Sequence, residues 1–288
     1  MMNRRVFLGQ AGLMSAGMLL MPKLLSAKQG GKYGLQLFSL REQLPKDVKG
    51  VIGKVAEAGY KQVETFGYSK EHGFWGLSAP EFKKLLKTNG LVSPSGHYTF
   101  DSFLSSGQIG DLDDAIDAAN ILGQEYVVVP YINPDMRKTA ADLKSIVNWI
   151  NIAGDRVQKA GLKLAYHNHN FEFDLVEGQR LYDLILNGTN PELVDLEMDV
   201  YWVVRAGQDP LKLIQDHPGR FKLLHVKDMD KSDPKLNTEV GTGSIDYKPI
   251  IAAARNAGVK YYIIEQENFK IDPYESITKN NKNLRGLF

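Results

Sequence analysis

The chain has 288 residues, of which 43% are hydrophobic and 24% charged, a composition typical of a globular domain. The net charge is only +1, and no block of Lys or Arg predicts binding to nucleic acid or to an anionic membrane surface. The absence of cysteine excludes disulfides, zinc–thiolate sites and iron–sulfur clusters. The expected partner is therefore a small molecule, with no nucleic acid and no stable membrane insertion.

The N-terminus has the features of an export signal. The pair Arg4-Arg5 precedes an apolar, small-residue stretch from Ala11 to Met21. A basic start followed by a short apolar run is typical of a signal peptide, and paired arginines are typical of the twin-arginine type. The run is shorter than the about 20 residues that a membrane-spanning helix needs. We predict a leader over 1–30, a catalytic domain over 31–288 and a periplasmic location; the alternative is an uncleaved amphipathic helix.

After residue 31 the sequence alternates strand-like runs with amphipathic helical patterns. The predicted strands are Tyr33–Phe38, Gln62–Thr65, Leu91–Gly96, Tyr126–Pro130, Leu162–His167, Leu193–Met198, Lys222–Val226 and Tyr261–Glu265. The predicted helices are Val48–Ala58, Ala79–Thr88, Asp111–Leu122, Ala140–Lys159, Tyr182–Asn187, Pro210–Asp216 and Tyr247–Ala257. This alternation is typical of parallel strands joined by right-handed crossovers. Because no glycine-rich phosphate fingerprint follows the first strand, we predict a closed (β/α)₈ TIM barrel, a single α/β domain, rather than an open sheet.

Imidazole and carboxylate groups stand at the ends of the last four predicted strands. They are His167, Asp199, His225 and Glu265, on consecutive strands. In such barrels the active site lies at the C-terminal ends of the strands, so these four side chains converge on one part of the rim. One His at a strand end is often structural and one Asp is often a helix cap, but four in register predict a metal site. A nitrogen and oxygen ligand set without thiolates suits Mn²⁺, Mg²⁺, Co²⁺, Zn²⁺ or Fe²⁺.

Several strand-end segments resemble the xylose isomerase-like sugar isomerase/epimerase family. They are His225-Val226-Lys227-Asp228, Met198-Asp199, Ile264-Glu265 and Gly241-Thr242-Gly243-Ser244-Ile245-Asp246. The resemblance extends from Tyr33 to the C-terminal region. It implies one divalent ion, often Mn²⁺, bound by Glu, Asp, His and Glu, and a sugar substrate from which a proton is removed next to a carbonyl to give an enediolate. It leaves the oligomeric state open, with homo-dimers and homo-tetramers common in the family.

The resemblance also assigns roles and shows one departure. Asp199, His225 and Glu265 match the last three ligands, whereas His167 stands where much of the family has Glu. Members with two glutamates use them as bases on opposite faces of the sugar. In this chain only one of the two, Glu265, is present. The resemblance therefore implies that His169, His97 or Lys227 supplies the second proton transfer.

Three functions follow from this reading. The leading one is an isomerase or epimerase of an unphosphorylated sugar, and the alternative is a lyase that catalyses β-elimination on a 3-keto-glycoside. The second alternative is a periplasmic sugar-binding protein without catalysis. A metal-dependent barrel nuclease is disfavoured because a net charge of +1 provides no basic groove.

Other polar and aromatic side chains near the strand ends are candidates for sugar binding. We predict that Gln36, Glu64 and His97 hydrogen-bond sugar hydroxyls and that Trp202 stacks on the ring; packing within the barrel mouth is the alternative. The glycine-rich segment that starts at Gly241 is interpreted as a tight turn before a helix capped by Asp246, rather than as a phosphate site.

Overall fold

Eight parallel strands close into a barrel in the computed structural model, which describes residues 33–288. The strands are β1 Tyr33–Gln36, β2 Gln62–Thr65, β3 Val92–His97, β4 Tyr126–Val129, β5 Lys163–His167, β6 Val194–Asp199, β7 Phe221–Val226 and β8 Tyr261–Ile264. Each strand pairs with its neighbours in chain order, and β8 closes onto β1 through the pairing of Ile264 with Leu35. The predicted (β/α)₈ barrel is therefore confirmed.

The helices lie between the strands. They are α1 Val48–Glu57, α2 Ala79–Thr88, α3 Asp101–Ser106, α4 Gly110–Leu122, α5 Ala140–Lys159, α6 Leu181–Gly188, α7 Val200–Arg205, α8 Pro210–Asp216, α9 Tyr247–Asn256 and α10 Pro273–Arg285. The sequence did not predict α3, α7 or α10. Among residues 33–288, no helix is long and apolar enough to cross a membrane.

Alternation along the strands explains which side chains reach the barrel interior. A cluster separate from the main core consists of Tyr126, Val128, Ala165, Leu223, Tyr261 and Ile263. Side chains two residues apart on a strand share a face. His167, His225 and Glu265 each follow a member of this cluster by two residues, so they lie on the same interior face, toward the C-terminal ends of the strands. The apolar cluster thus supports the polar site from within the barrel.

The segment after β7 forms a short antiparallel ribbon at the barrel mouth. Asp228–Met229 pairs antiparallel with Asn237–Thr238. The Asp228 carboxylate accepts hydrogen bonds from the backbone N–H groups of Gly241 (2.8 Å), Gly243 (3.0 Å) and Ile245 (3.1 Å). The tight-turn interpretation is confirmed, and Asp246 caps α9. These N–H groups therefore hold a carboxylate of the chain itself, and a Cβ on Gly243 would meet its Oδ1 at 2.2 Å.

Candidate metal centre

Two overlapping groups of potential metal ligands lie inside the mouth of the barrel. The first consists of His97, His167, Glu197 and His225, and the second of Asp199, His225 and Glu265. Within each group the ligand atoms lie within 4.8 Å of one another, and every member is buried. Because His225 belongs to both groups, the two form one continuous cluster.

Carboxylates link the imidazoles of this cluster. Glu197 Oε2 lies 2.7 Å from His97 Nε2 and 3.0 Å from His167 Nδ1. Glu64 Oε1 lies 2.8 Å from His225 Nε2 and 3.0 Å from His97 Nε2. Each carboxylate thus bridges two imidazoles, a geometry that fixes the orientation of the rings.

The pKa values in the cluster reflect this close pairing. Burial opposes the protonation of His97, but Glu64 and Glu197 raise its pKa to about 9. Burial and Glu64 disfavour the charge on Glu197, yet His225, His97 and the contact with His167 lower its pKa to about 2. Burial raises the pKa of Asp199 to about 7, against the opposing effect of Lys227 and His225. The buried carboxylates therefore require positive charge beside them.

The unpaired atoms of the cluster fit a divalent cation. Glu64 Oε2, Glu197 Oε1 and Asp199 Oδ2 are buried and have no hydrogen-bond partner. A buried acceptor without a partner costs about 1–3 kcal/mol, and more when it is charged. A cation held by Asp199 Oδ2 together with His225 and Glu265 would remove this cost for Asp199, and such oxygen and nitrogen donors suit Mn²⁺, Mg²⁺, Zn²⁺ or Fe²⁺.

Lys227 lies beside the second ligand group and has no exposed surface. Its Nζ is 3.2 Å from Glu265 Oε2, contacts Glu267, and lies 4.9 Å from the centre of the Trp202 ring. Burial opposes its charge, but Glu265, Asp199 and Glu267 raise its pKa above the usual value. Lys227 therefore lies beside Glu265 as a cation that can orient it, and its part in the second proton transfer stays a prediction.

A cleft of about 490 Å³ opens directly over the cluster. Its lining includes His97, His167, His169, Trp202, Glu265 and Glu267, with Phe38, Phe66 and Tyr131 as aromatic walls. The His169 ring stacks on Phe171 at 5.7 Å and lies 5.3 Å from the Trp202 ring. Burial, reinforced by Lys227, lowers the pKa of His169 to about 3, so its imidazole is neutral at neutral pH. The cleft thus combines ligand groups, a neutral imidazole and flat apolar surfaces.

Comparison with known proteins identifies the family. A family model described as Xylose isomerase-like TIM barrel matches residues 52–285. The chain belongs to this family. The predicted membership is confirmed, whereas the predicted signal peptide lies outside the described residues.

The xylose isomerase-like relatives differ in what their names say they do. A sugar phosphate isomerase/epimerase from Parabacteroides distasonis ATCC 8503 is 30% identical with a TM-score of 0.78, covering 90% of this chain and 95% of that one. An inosose dehydratase from Lacticaseibacillus casei is 30% identical over 150 residues, which are 46% of this chain and 50% of that enzyme. One from Geobacillus thermodenitrificans (strain NG80-2) is 24% identical over 239 residues, which are 70% of this chain and 79% of that enzyme. The chain spans about half the length of the L. casei relatives it matches.

The structure brings most of the predicted site residues of this family member together. Asp199, His225 and Glu265 form one ligand group, while His167 lies in the adjoining group with its Nε2 4.0 Å from Asp199 Oδ2. His167 therefore stays a predicted ligand.

The residues predicted to bind sugar divide into two sets. His97 and Trp202 line the cleft. Gln36 and Glu64 have no exposed surface, and the Gln36 Nε2 donates to Glu64 Oε1 at 2.7 Å. Contact of these two side chains with a sugar stays a prediction, and their observed position supports the imidazoles instead.

Three carboxylates of the site were not predicted from the sequence. Glu197 precedes Asp199 by two residues and so shares its strand face, which is the signal that could have found it. Glu267 follows Glu265 by two residues and lines the cleft. Glu172 has no exposed surface and accepts hydrogen bonds from the Tyr166 hydroxyl and from the His169 backbone N–H, each at 2.8 Å. No spacing rule indicates Glu172, because its role depends on the fold of the loop after β5.

The buried carboxyl of Glu172 predicts a specific pH dependence of stability. Burial raises its pKa from 4.5 to about 8, so between these pH values the folded chain holds a proton that the unfolded chain releases. The free energy of unfolding should therefore fall as the pH rises from 4.5 to 8. We expect Glu172→Gln, which cannot titrate, to remove part of this fall. The melting temperature of Glu172→Gln minus that of the unmodified protein should therefore be several degrees larger at pH 9 than at pH 6.

Calorimetry at both pH values tests this expectation. The control is Glu192→Gln, at an exposed position, which should follow the unmodified protein. Parallel pH profiles for Glu172→Gln and the unmodified protein would refute the assignment.

Proposed function

We propose that this chain is a divalent-metal-dependent isomerase or epimerase that moves a proton on the carbon next to the carbonyl of an unphosphorylated sugar. The observation that carries the proposal is the place of Glu265, which belongs to a buried ligand group and also lines the cleft. A sugar in the cleft would therefore meet a ligand group and a base at the same point. The isomerase/epimerase name of the P. distasonis relative supports the same reaction class.

The residues divide the chemistry among them. A divalent ion held by Asp199, His225 and Glu265, with His167 adjoining, would polarise a carbonyl oxygen and stabilise the negative charge that develops on it. Glu265 takes the proton from the adjacent carbon, since Lys227 lowers its pKa, against burial, and keeps it ionised. The neutral imidazole of His169 lines the same cleft and can pass a hydroxyl proton of the sugar to the carbonyl oxygen, while Glu265 delivers the proton it has taken to the neighbouring carbon. Trp202 and the aromatic walls exclude water and hold the ring.

The cleft favours a substrate without a phosphate group. Within residues 33–288, the side chains that line the cleft include no Lys or Arg. The buried Lys227 is already paired with Glu265 and Glu267. The backbone N–H groups of the loop at Gly241 are also taken, because they bind Asp228. Neither Lys227 nor these N–H groups are therefore free to bind a phosphate.

The second candidate function is elimination from a keto-glycoside. The inosose dehydratase relatives favour it, because a dehydratase removes water from its substrate. Elimination begins with the same proton abstraction by Glu265. The electron pair then forms a carbon–carbon double bond as the bond from the next carbon to the leaving oxygen breaks, and that oxygen takes a proton. The predicted periplasmic location suits either reaction on an extracellular sugar and rests on residues 1–30 alone.

Proton exchange with solvent tests the proposal. Protein loaded with Mn²⁺ would be incubated in D₂O with a panel of unphosphorylated aldoses, ketoses and 3-keto-glycosides and followed by NMR. An isomer or epimer with one deuterium next to the carbonyl is the expected result, and release of the leaving group would establish elimination instead. No deuterium in any sugar would contradict both and would favour a sugar-binding protein without catalysis.

A further inference from the structure

A second cavity adjoins the catalytic cleft at the rim of the barrel. It has a volume of about 630 Å³ and is formed by the segments that follow β1 and β8 and by the ribbon after β7. Its lining includes Arg41, Gln43, Asn237, Asn268, Phe269 and Lys270, and we call it the rim groove. Glu267 lines both the rim groove and the cleft, so the two cavities share a wall.

The charges in the lining of the rim groove are balanced in number. Arg41 and Lys270 face the acidic Glu42 and Glu267 in the same lining. The Arg41 guanidinium donates to the backbone oxygens of Phe38 (3.3 Å) and Glu267 (3.1 Å). Lys270 Nζ lies 2.5 Å from Asp230 Oδ2. Because the two cations and the two carboxylates of the lining balance each other, the groove favours an uncharged ligand.

The remaining lining combines amide groups with apolar surface. Gln43 and Asn268 offer both donors and acceptors, while Phe269 and Ile271 offer apolar surface. A sugar ring has this same combination of hydroxyl groups around an apolar face. The chemistry of the groove therefore matches a polyhydroxylated ring better than it matches an ion or a purely apolar group.

The wall between the groove and the cleft is held in place before any ligand binds. The Asn237 side-chain oxygen accepts from the backbone N–H groups of Glu267 (2.8 Å) and Asn268 (3.0 Å). In return, the Asn268 side-chain oxygen accepts from the Asn237 N–H at 3.1 Å. A pre-formed site needs little ordering on binding, which favours affinity.

We infer that the rim groove binds a second sugar ring, linked to the ring that occupies the cleft, so that the substrate is a glycoside of at least two rings. This inference rests on the proposed function for the placement of the first ring. The cleft and the groove each fall within the roughly 300–1,000 Å³ typical of pockets for one small ligand. A monosaccharide in the cleft would leave the groove without a ligand, whereas a disaccharide can extend past Glu267 into both.

Saturation-transfer NMR tests the inference independently of turnover. The probes are maltose, cellobiose and sucrose, with D-glucose as the single-ring reference, on the Mg²⁺-loaded protein, because Mg²⁺ is diamagnetic. Protons of both rings should receive saturation from the unmodified protein. Gln43→Trp, which fills the groove, should abolish saturation of one ring and weaken disaccharide binding about tenfold, leaving glucose unchanged. Gln158→Trp, at an exposed position of α5 near the opposite end of the barrel, is the matched control and should bind as the unmodified protein does.

Other outcomes separate failure of the inference from failure of the proposed function. Saturation of only one ring across the panel, or unchanged disaccharide binding by Gln43→Trp, would overturn the inference. Phe269→Ala provides a second variant if Gln43→Trp does not fold, and it should reduce saturation of the same ring. Two-ring contact without deuterium exchange into any sugar would instead overturn the proposed function and leave the groove as a binding site.

Discussion

Glu265→Gln is expected to lower turnover about 10³-fold, within the 10²–10⁴-fold that a positioned general base contributes. Glutamine keeps the shape of the side chain and an oxygen for Lys227, which lies 3.2 Å from the native carboxylate. It cannot take a proton, and its uncharged oxygen is a weaker metal ligand. Initial rates of deuterium exchange at saturating Mn²⁺ would measure the loss, and circular dichroism would show that the fold is kept.

The matched control for Glu265→Gln is the same substitution at Glu267. Both carboxylates line the cleft and contact Lys227, but Glu267 is outside both ligand groups. Glu267→Gln should lower turnover less than tenfold, as expected for a group that tunes its neighbours. The reverse order of effects would move the base from Glu265 to Glu267.

Asp199→Asn is expected to abolish the stabilisation of the fold by Mn²⁺, together with turnover. A ligand at 100 times its dissociation constant stabilises a protein by about 2.7 kcal/mol, which for a chain of this size raises the melting temperature by about 5–10 °C. The unmodified protein should show this rise. Asparagine keeps the oxygen that accepts from the Trp202 N–H at 3.1 Å and caps α7, so the variant should fold.

Asp195→Asn is the control for Asp199→Asn. Asp195 lies on the same face of β6, four residues earlier, where it accepts from the Tyr126 hydroxyl at 2.9 Å. Because it stands near the other end of the barrel, its substitution should leave the rise with Mn²⁺ intact. An equal rise in Asp199→Asn would exclude Asp199 as a ligand.

The sequence predicted the barrel because its local signals agree with the fold. Short apolar runs became strands, and glycines with positive φ at positions such as Gly59 and Gly161 close the preceding helices. α7 was missed because it begins at Val200, immediately after β6, with no turn residues between them. β1 ends at Gln36 instead of Phe38 because the Gln36 side chain accepts from the Phe38 N–H and starts a 3₁₀ turn.

The sequence predicted the ligands of the candidate site that stand at the strand ends, but not the contacts deeper in the barrel. Strand ends indicate Asp199, His225 and Glu265, because the C-terminal end of every strand points to the mouth. Glu197 and Glu64 lie one step further along the interior face, and their pairing with His97 depends on strands far apart in the sequence. The same limit applies to Lys227, whose pairing with Glu267 depends on the path of the chain after β8. Long-range neighbours of this kind are set by the closure of the barrel.

The buried cluster is expected to hold one divalent cation. The most direct test is the metal content of protein purified without chelators and without an immobilised-metal column, measured by plasma mass spectrometry beside Asp199→Asn. We predict about one divalent ion per chain in the unmodified protein and a large loss in the variant. Unmodified protein that carries no divalent ion and takes up none from added Mn²⁺, Mg²⁺, Co²⁺, Zn²⁺ or Fe²⁺ would show that the cluster is not a metal site.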